Sequence, residues 1–260
     1  MQKNYQVSAS MVTYCGAEEA AAGVRSLLAH SEGCELAFYV IDNASPDGAG
    51  AMLAREFDKD ARVEVLCLPT NIGFGSGHNT VLGRLSSEYH VVLNPDITVD
   101  SDVIAQLCRY LDAHPDVVMV TPQLRFPDGS AQNVAKRQPT FLALLARQLH
   151  LGILKKYEDH YLMLDEDLST EQDVQFCSGC FFVMRTAVFQ AIGGFDENYF
   201  MYVEDADLTR KALQQGRVVY QPACYVYHAW HRTTKRSAKH FWMQVHSMGR
   251  YFKKWGFQLK

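Results

Sequence analysis

Carboxylate side chains close two of the short apolar runs in this sequence. Asp42 follows residues 36–41, and Asp96 closes the turn Asn94-Pro95-Asp96 after residues 90–93. A carboxylate such as Asp42 can accept the ring N–H of a uracil or thymine base, or it can simply cap a turn together with Asn43. At the other turn, Asp96 can bridge Mg²⁺ or Mn²⁺ to a diphosphate, although Asn-Pro-Asp is also a common turn sequence.

A second carboxylate group, Glu204-Asp205-Ala206-Asp207, stands directly before a predicted helix that Gly216 would end. A helix N-terminus favours an ionised carboxylate, which can then take a proton from a hydroxyl group. Asp205 and Asp207 are equally suited to capping the helix. His228 and His231 follow further along the chain, and a neutral imidazole at either position can ligate the same cation.

Two further motifs give weaker indications. The glycine-rich segment 71–79 follows a predicted strand and can bring backbone N–H groups close to a ligand, but a plain turn fits it as well. It lacks the Lys-Ser/Thr of a Walker loop and the spacing of a dinucleotide-binding fingerprint. Cys177 and Cys180 have C-x-x-C spacing before a strand-like run, and no second cysteine pair follows, so neither redox chemistry nor zinc is expected.

These residues need a sheet whose strand ends share one edge. Period-2 and short apolar runs predict strands over 7–14, 36–41, 63–68 and 90–94, and helical spacing predicts helices over 18–30, 50–57, 79–86 and 103–113. Four strand–helix units predict an α/β fold with a mainly parallel, Rossmann-like sheet covered by helices. After Pro115 we expect short strands, a helix over 141–154, an acidic loop over 158–173 and a helix over 206–215.

Composition limits the class of protein. The chain has 260 residues, is 48% hydrophobic and carries a formal net charge of -4, which disfavours general nucleic-acid binding. We expect one domain, with a ligand-binding half over 1–114 and a second half over 115–260 that ends in basic helices. No apolar run reaches the length of a bilayer span and no signal core is evident, and seven cysteines do not suggest a disulfide framework. A cytoplasmic protein with reduced thiols is the expectation.

Taken together, the ordered motifs resemble glycosyltransferase family 2, the inverting enzymes with the GT-A fold, and within it the bacterial lipopolysaccharide and O-antigen rhamnosyltransferases. The resemblance runs over most of the chain, through residues 12–14, 41–45, 71–79, 93–96, 193–197 and 200–208, and continues in 228–237, 246–247 and 251–256.

The resemblance implies a nucleoside-diphosphate sugar donor, most simply dTDP-rhamnose, and a divalent cation, Mg²⁺ or Mn²⁺. Asp205 would be the general base, with Glu204 and Asp207 orienting the base or the acceptor. The implied donor contacts are Thr13, Asp42, Asn71, Asn79, Asn94 and Asp96, and the implied metal ligands are Asp96 and His228.

The sequence departs from the family pattern at two positions. Cys15 stands where Asn commonly follows the Thr-Tyr pair, and Asn94 replaces the first Asp of the fuller DxD motif. A UDP-hexose or UDP-N-acetylhexosamine as donor remains open. So does a non-catalytic module that binds a nucleotide sugar or glycan, for which loss of Asp96 or Asp205 would be the expected sign.

An acceptor glycan linked to a lipid at the inner face of the cell membrane is a further implication. The predicted helix over 141–154 is long enough to lie in a membrane interface, and the segment from Arg232 to Lys260 carries eight basic residues and no acidic side chain. A buried helix, a dimer contact and a solvated basic face are the alternatives, and the oligomeric state is open.

Overall fold

The computed structural model describes residues 4–149, 152–229 and 238–259. Its strands are β1 Tyr5–Thr13, β2 Cys34–Asp42, β3 Val63–Cys67, β4 Tyr89–Leu93, β5 Ile97–Thr98, β6 Val117–Arg125, β7 Gln172–Asp173, β8 Phe181–Arg185 and β9 Arg217–His228. Its helices are α1 Ala17–Ala29, α2 Ala49–Glu56, α3 Phe74–Asn79, α4 Val103–Ala113, α5 Phe141–Leu149, α6 Lys155–Tyr161, α7 Thr186–Ala191, α8 Glu204–Ala212 and α9 Ala238–Trp255.

The first four strands form the parallel sheet that the sequence predicts. β1 lies between β2 and β4, and β3 extends the sheet beyond β2. Thr13 pairs with Asp42, and Asp42 pairs with Cys67, so these three strands end at the same edge. Since ligands of open parallel sheets bind beyond the carboxyl ends of the strands, this register places Thr13 and Asp42 at the expected edge.

The second half of the sheet differs from the prediction of a mainly parallel arrangement. The order β3-β2-β1-β4-β8-β6-β9-β5, with β7 also on β9, gives as many antiparallel pairings as parallel ones among the described residues. β8 lies antiparallel between β4 and β6. β5 and β7 run antiparallel to β9, whereas β6 and β9 are parallel to each other.

Three predicted elements differ from the structure. The predicted helix over 79–86 is wrong, because the glycine-rich segment itself forms α3 and only a 3₁₀ turn, Leu82–Arg84, follows. A Cβ at Gly77 would approach a Val12 methyl carbon within 2.8 Å, so this short helix packs on β1 in a way that only glycine permits. The predicted acidic loop begins inside α6, and the helix predicted over 141–154 is described as α5 and a 3₁₀ turn at Gly152–Leu154.

A second buried cluster joins the C-terminal helices beside the main core. Its members are Ala143, Tyr161, Phe176, Tyr199, Ala206 and Tyr251. Ala143, Tyr161, Ala206 and Tyr251 lie on α5, α6, α8 and α9, so this small cluster packs the four helices against one another. In the part of the chain that the structure describes, no helix has both the length and the apolar content needed to cross a bilayer.

Candidate active site

Thr13 and Asp42 form the floor of the site at the end of the parallel strands. Both side chains are buried, and the Thr13 hydroxyl donates to the Cys15 carbonyl at 2.9 Å. Asp42 Oδ2 accepts from the Ser45 N–H at 3.3 Å, while Oδ1 is buried with no hydrogen-bond partner among the described residues. Buried acceptors in native structures are nearly always bonded, so Asp42 Oδ1 is suited to receive an N–H from a ligand.

Strained backbone flanks this floor. Cys15 and Ala44 adopt the left-handed conformation at φ 67° and φ 62°, although neither is glycine. The Cys15 N–H donates to Ser45 Oγ at 2.7 Å, which ties the two strand ends together. Non-glycine residues in this region are costly and concentrate at ligand sites, in agreement with a binding edge here.

Asn79, in the glycine-rich segment, shapes the loop instead of facing a ligand. Asn79 Nδ2 donates to the Phe195 carbonyl at 2.9 Å, and its Oδ1 accepts from the Phe195 N–H at 2.9 Å. Both ends of this amide are therefore engaged by the protein, and we reassign Asn79 from donor contact to positioning residue. Asn71 Oδ1 accepts from the Gly73 N–H at 3.0 Å and closes a turn.

Asn43 was missed as a site residue by the sequence reasoning, which treated it as a turn cap. Its Nδ2 donates to the Gly73 carbonyl at 3.0 Å and its Oδ1 accepts from the Ile72 N–H at 2.9 Å. Asn43 thus holds the glycine-rich segment against the end of β2. Its position next to Asp42 was the available signal.

Asp96 and His228 meet at the far side of the same edge. The short strand β5 pairs with the end of β9, with Ile97 opposite His228, and this brings His228 Nε2 to 3.2 Å from Asp96 Oδ2. The backbone N–H of neighbouring Asn94 donates to the Cys180 carbonyl at 2.9 Å, which fixes the turn. The two residues predicted as metal ligands are therefore adjacent, whereas Trp230 and His231 lie outside the described residues.

Gln132 orients the imidazole and was not found from the sequence. Its Nε2 donates to the His228 carbonyl at 2.8 Å, so its Oε1 faces His228 Nδ1 at 2.8 Å and must accept from it. Nε2 is thereby the nitrogen turned towards Asp96. Burial lowers the pKa of His228, but hydrogen bonds to Asp96 and Cys180 outweigh it and raise the pKa to about 10.

This pair fits a cation shared with a ligand better than a cation held by protein alone. Within residues 4–149, 152–229 and 238–259, no group of three or more His, Cys, Asp or Glu side chains is arranged to hold a metal ion. Mg²⁺ commonly binds through one or two side chains together with substrate phosphates, and Mn²⁺ accepts carboxylate and imidazole ligands. An Asp–His pair at the ligand edge would satisfy that requirement once His228 Nε2 releases the proton that it shares with Asp96.

Asp205 lies in the first turn of α8, where the backbone donates to it. Its Oδ2 accepts from the Gly179 N–H at 3.1 Å and its Oδ1 accepts from the Ala206 N–H at 2.9 Å. The C-x-x-C segment thus serves as a backbone turn that supports this carboxylate. Tyr202 and Val203 precede the helix at φ 72° and φ 68°, and such strain costs about 1–3 kcal/mol per residue.

Glu204 and Asp205 have different environments, which separates their charge states. Burial, together with the charge of Asp205, raises the pKa of Glu204 to about 8. Glu204 Oε2 is buried without a hydrogen-bond partner among the described residues. Burial also raises the pKa of Asp205, but Lys136 and the Gly179 and Ala206 N–H groups oppose that rise. Near neutral pH we therefore assign the proton to Glu204 and the negative charge to Asp205.

This assignment predicts how stability depends on pH. The folded protein retains a proton on Glu204 up to a pH of about 8, whereas the unfolded chain releases it near 4.5. Stability should therefore fall as pH rises between these values, because the folded state binds more protons there. Glu204→Gln should remove this part of the pH dependence and melt above the wild type at pH 9. Thermal unfolding of both proteins from pH 4 to 9 measures it, and parallel curves would contradict the raised pKa.

Asp207 does not face the same space as Asp205. Its Oδ1 accepts from Trp255 Nε1 at 2.6 Å and its Oδ2 accepts from Lys254 Nζ at 2.9 Å. Residues two apart on a helix point roughly 200° from one another, so the two carboxylates lie on different faces of α8. We therefore correct the predicted role of Asp207 in orienting the base or acceptor: it is a buried anchor for α9.

A cavity of about 230 Å³ opens in front of Asp205. Glu204 and Asp205 line it together with two cationic side chains, Lys136 and Arg147. Lys136 Nζ lies 4.4 Å from the centre of the Phe176 ring, and burial lowers its pKa while Asp205 opposes that shift. The arrangement can deprotonate a hydroxyl group at Asp205 and hold an anion beside it.

Comparison with known proteins agrees with this geometry. The model of the family described as "Glycosyl transferase family 2" matches residues 8–193. The chain is 28% identical over 216 residues to the N-acetylglucosaminyl-diphospho-decaprenol L-rhamnosyltransferase of Mycobacterium tuberculosis, covering 76% of this chain and 68% of that relative. It is 27% identical over 171 residues to the rhamnosyltransferase WbbL of Escherichia coli, covering 63% of each.

Among solved structures, GalNAc-T7 with UDP, GalNAc and Mn²⁺ matches with a TM-score of 0.73 at 13% identity. The match covers 98% of this chain but 49% of the GalNAc-T7 chain. At this identity the likeness concerns the fold alone.

Proposed function

The chain belongs to glycosyltransferase family 2, has the GT-A fold and is a glycosyltransferase, and we propose that it transfers L-rhamnose from dTDP-rhamnose to a lipid-linked glycan with inversion of configuration. The observation that carries the proposal is the Asp205 carboxylate, which accepts from the Gly179 and Ala206 N–H groups and lines a cavity. The names of the two rhamnosyltransferase relatives support the choice of sugar. We place the reaction at the cytoplasmic face of the cell membrane, where a lipid-linked acceptor would be reached.

The nucleotide end of the donor would lie over the parallel edge. Asp42 Oδ1 is available to accept the ring N–H of the base, and Thr13 lies beside it in the strand register. Asp96 and His228 would hold a divalent cation, Mg²⁺ or Mn²⁺, against the diphosphate. When bound, that cation offsets the negative charge that develops on the departing diphosphate.

In the transfer step, Asp205 takes the proton from an acceptor hydroxyl in the cavity. The hydroxyl oxygen forms a bond to the anomeric carbon as the bond from that carbon to the diphosphate oxygen breaks on the opposite face. The electron pair of the broken bond leaves with the nucleoside diphosphate, and the anomeric configuration is inverted. Glu204, protonated at neutral pH, adds no second negative charge to the site.

A UDP-sugar is the competing donor, because Asp42 would accept from uracil and thymine alike. The test is calorimetric binding of dTDP-rhamnose, UDP-glucose, UDP-galactose and UDP-N-acetylglucosamine, each with Mn²⁺ and with a chelator. We expect selective binding of dTDP-rhamnose that Mn²⁺ strengthens. Preference for a UDP-sugar would overturn the assignment of rhamnose as the transferred sugar but not the assignment of the fold.

A further inference from the structure

An apolar groove of about 480 Å³ lies between α5 and α9. Leu144, Leu145 and Phe141 line it from α5, and Phe241, Val245 and Phe252 line it from α9. Val245 is 40% exposed and Phe241 is 38% exposed, so large apolar side chains face solvent along the groove. Contiguous exposed apolar surface of this kind marks a binding site for a lipid, a ligand or a protein.

The groove lies directly beside the cavity in front of Asp205. Leu144 and Gln244 line both, so the two spaces share a wall at one point of contact. A molecule whose hydroxyl group reaches Asp205 can therefore extend into the groove without leaving the protein surface. One molecule can therefore occupy both the cavity and the groove.

Two cations lie on the cavity side of this junction. Arg147 is on α5, with its guanidinium 5.6 Å from the centre of the Tyr161 ring, and its charge lowers the pKa of Lys136. The nearest carboxylate to Arg147 among the described ion pairs is Glu158, at 4.0 Å from Nε. Two neighbouring, weakly neutralised cations are complementary to a diphosphate.

We propose that the prenyl chain of the lipid-linked acceptor lies in the groove between α5 and α9, with the diphosphate of that acceptor at Lys136 and Arg147. The inference rests on the proposed function and adds to it the part of the acceptor that each surface recognises. The groove, the two cations and Asp205 match the prenyl chain, the diphosphate and the sugar hydroxyl, which follow one another in that order along such a molecule. A second copy of the protein would cover the groove but would not account for the two cations that line the neighbouring cavity.

The test compares two acceptors that differ only in the lipid. N-acetylglucosaminyl diphosphate carrying a decaprenyl chain is compared with the same compound carrying a methyl group. The wild type should have a KM at least about tenfold lower for the decaprenyl acceptor, which corresponds to the burial of about two methylene groups. Val245→Glu should remove most of that difference, because it places a charge in the apolar channel.

Arg147→Gln should behave differently from Val245→Glu. Both acceptors carry the diphosphate, so this variant should lower kcat/KM about tenfold for each of them. Met52→Glu, which places the same charge at an exposed position on α2, should match the wild type. Equal KM values for the two acceptors in the wild type, or a Val245→Glu variant that keeps the full preference, would overturn the groove assignment and leave the transferase activity standing.

Binding of farnesyl diphosphate, measured by calorimetry without donor, provides a readout that does not depend on turnover. The wild type should bind it, and both Val245→Glu and Arg147→Gln should weaken binding. Binding of farnesyl diphosphate by a protein that transfers no sugar would support the groove assignment and contradict the proposed function. Absence of binding would overturn the groove assignment. The assignment would also be overturned if the wild type formed dimers, Val245→Glu did not, and the variant still transferred sugar to the decaprenyl acceptor at an unchanged rate.

Discussion

Asp205→Asn is expected to lower kcat on the order of 10³-fold while leaving the dissociation constant of the donor within about twofold. Asparagine keeps the size of the side chain and can still accept from one of the two N–H groups that hold Asp205, at Gly179 and Ala206. It cannot take a proton from the acceptor. Because Asp205 is placed against the acceptor hydroxyl and not against the nucleotide, the loss should appear in turnover and not in donor affinity.

The control for this variant is Asp58→Asn, which makes the same change at an exposed carboxylate. Steady-state rates with saturating donor, together with donor calorimetry, separate the two quantities. A kcat within tenfold of the wild type would remove Asp205 from the role of base. A matching loss of donor affinity would instead indicate that the substitution disturbs the Gly179 turn.

Asp96→Ala is expected to weaken donor binding in the presence of Mn²⁺ by roughly 100-fold. The reason is that Asp96 and His228 are the carboxylate and the imidazole that would bind the cation at the ligand edge. The alanine variant keeps only the imidazole. In the presence of a chelator the wild type and the variant should bind the donor equally weakly. The change therefore resides in the metal-dependent part of the affinity.

Calorimetric titration of the donor into both proteins, with Mn²⁺ and with chelator, gives the four dissociation constants that this comparison requires. Circular dichroism provides the folding control, since His228 is buried and loses its partner in the variant. Equal Mn²⁺ enhancement in the wild type and in Asp96→Ala would exclude Asp96 as a ligand.

The residues at the parallel edge could be located from sequence because their positions follow from local pattern. Thr13 and Asp42 end apolar runs, and parallel strands in sequence order place such ends side by side. The pairing of Asp96 with His228 depends instead on the register between β5 and β9, which are far apart in the chain. The motif resemblance named both residues, but only the tertiary register brings them together. The contact of Gln132 with His228 likewise could not be predicted from local sequence.

The wrong assignments share one cause, which is that a motif does not state the direction of a side chain. Asp207 belongs to the same tetrapeptide as Asp205, yet it faces Lys254 and Trp255 because two residues turn a helix by roughly 200°. Asn79 is part of the glycine-rich segment, yet its amide is used by Phe195. The groove between α5 and α9 could not be predicted from sequence, because the hydrophobic periodicity of a helix does not indicate which other helix packs against it.

The central claim is that an acceptor hydroxyl activated at Asp205 displaces the nucleoside diphosphate in one step. The most direct test is nuclear magnetic resonance of the disaccharide product that the wild type forms from dTDP-rhamnose and a glycosyl diphospho-lipid. We predict that the new glycosidic bond has the anomeric configuration opposite to that of the donor. A product that retains the donor's configuration would contradict the single displacement and the role of Asp205 as base.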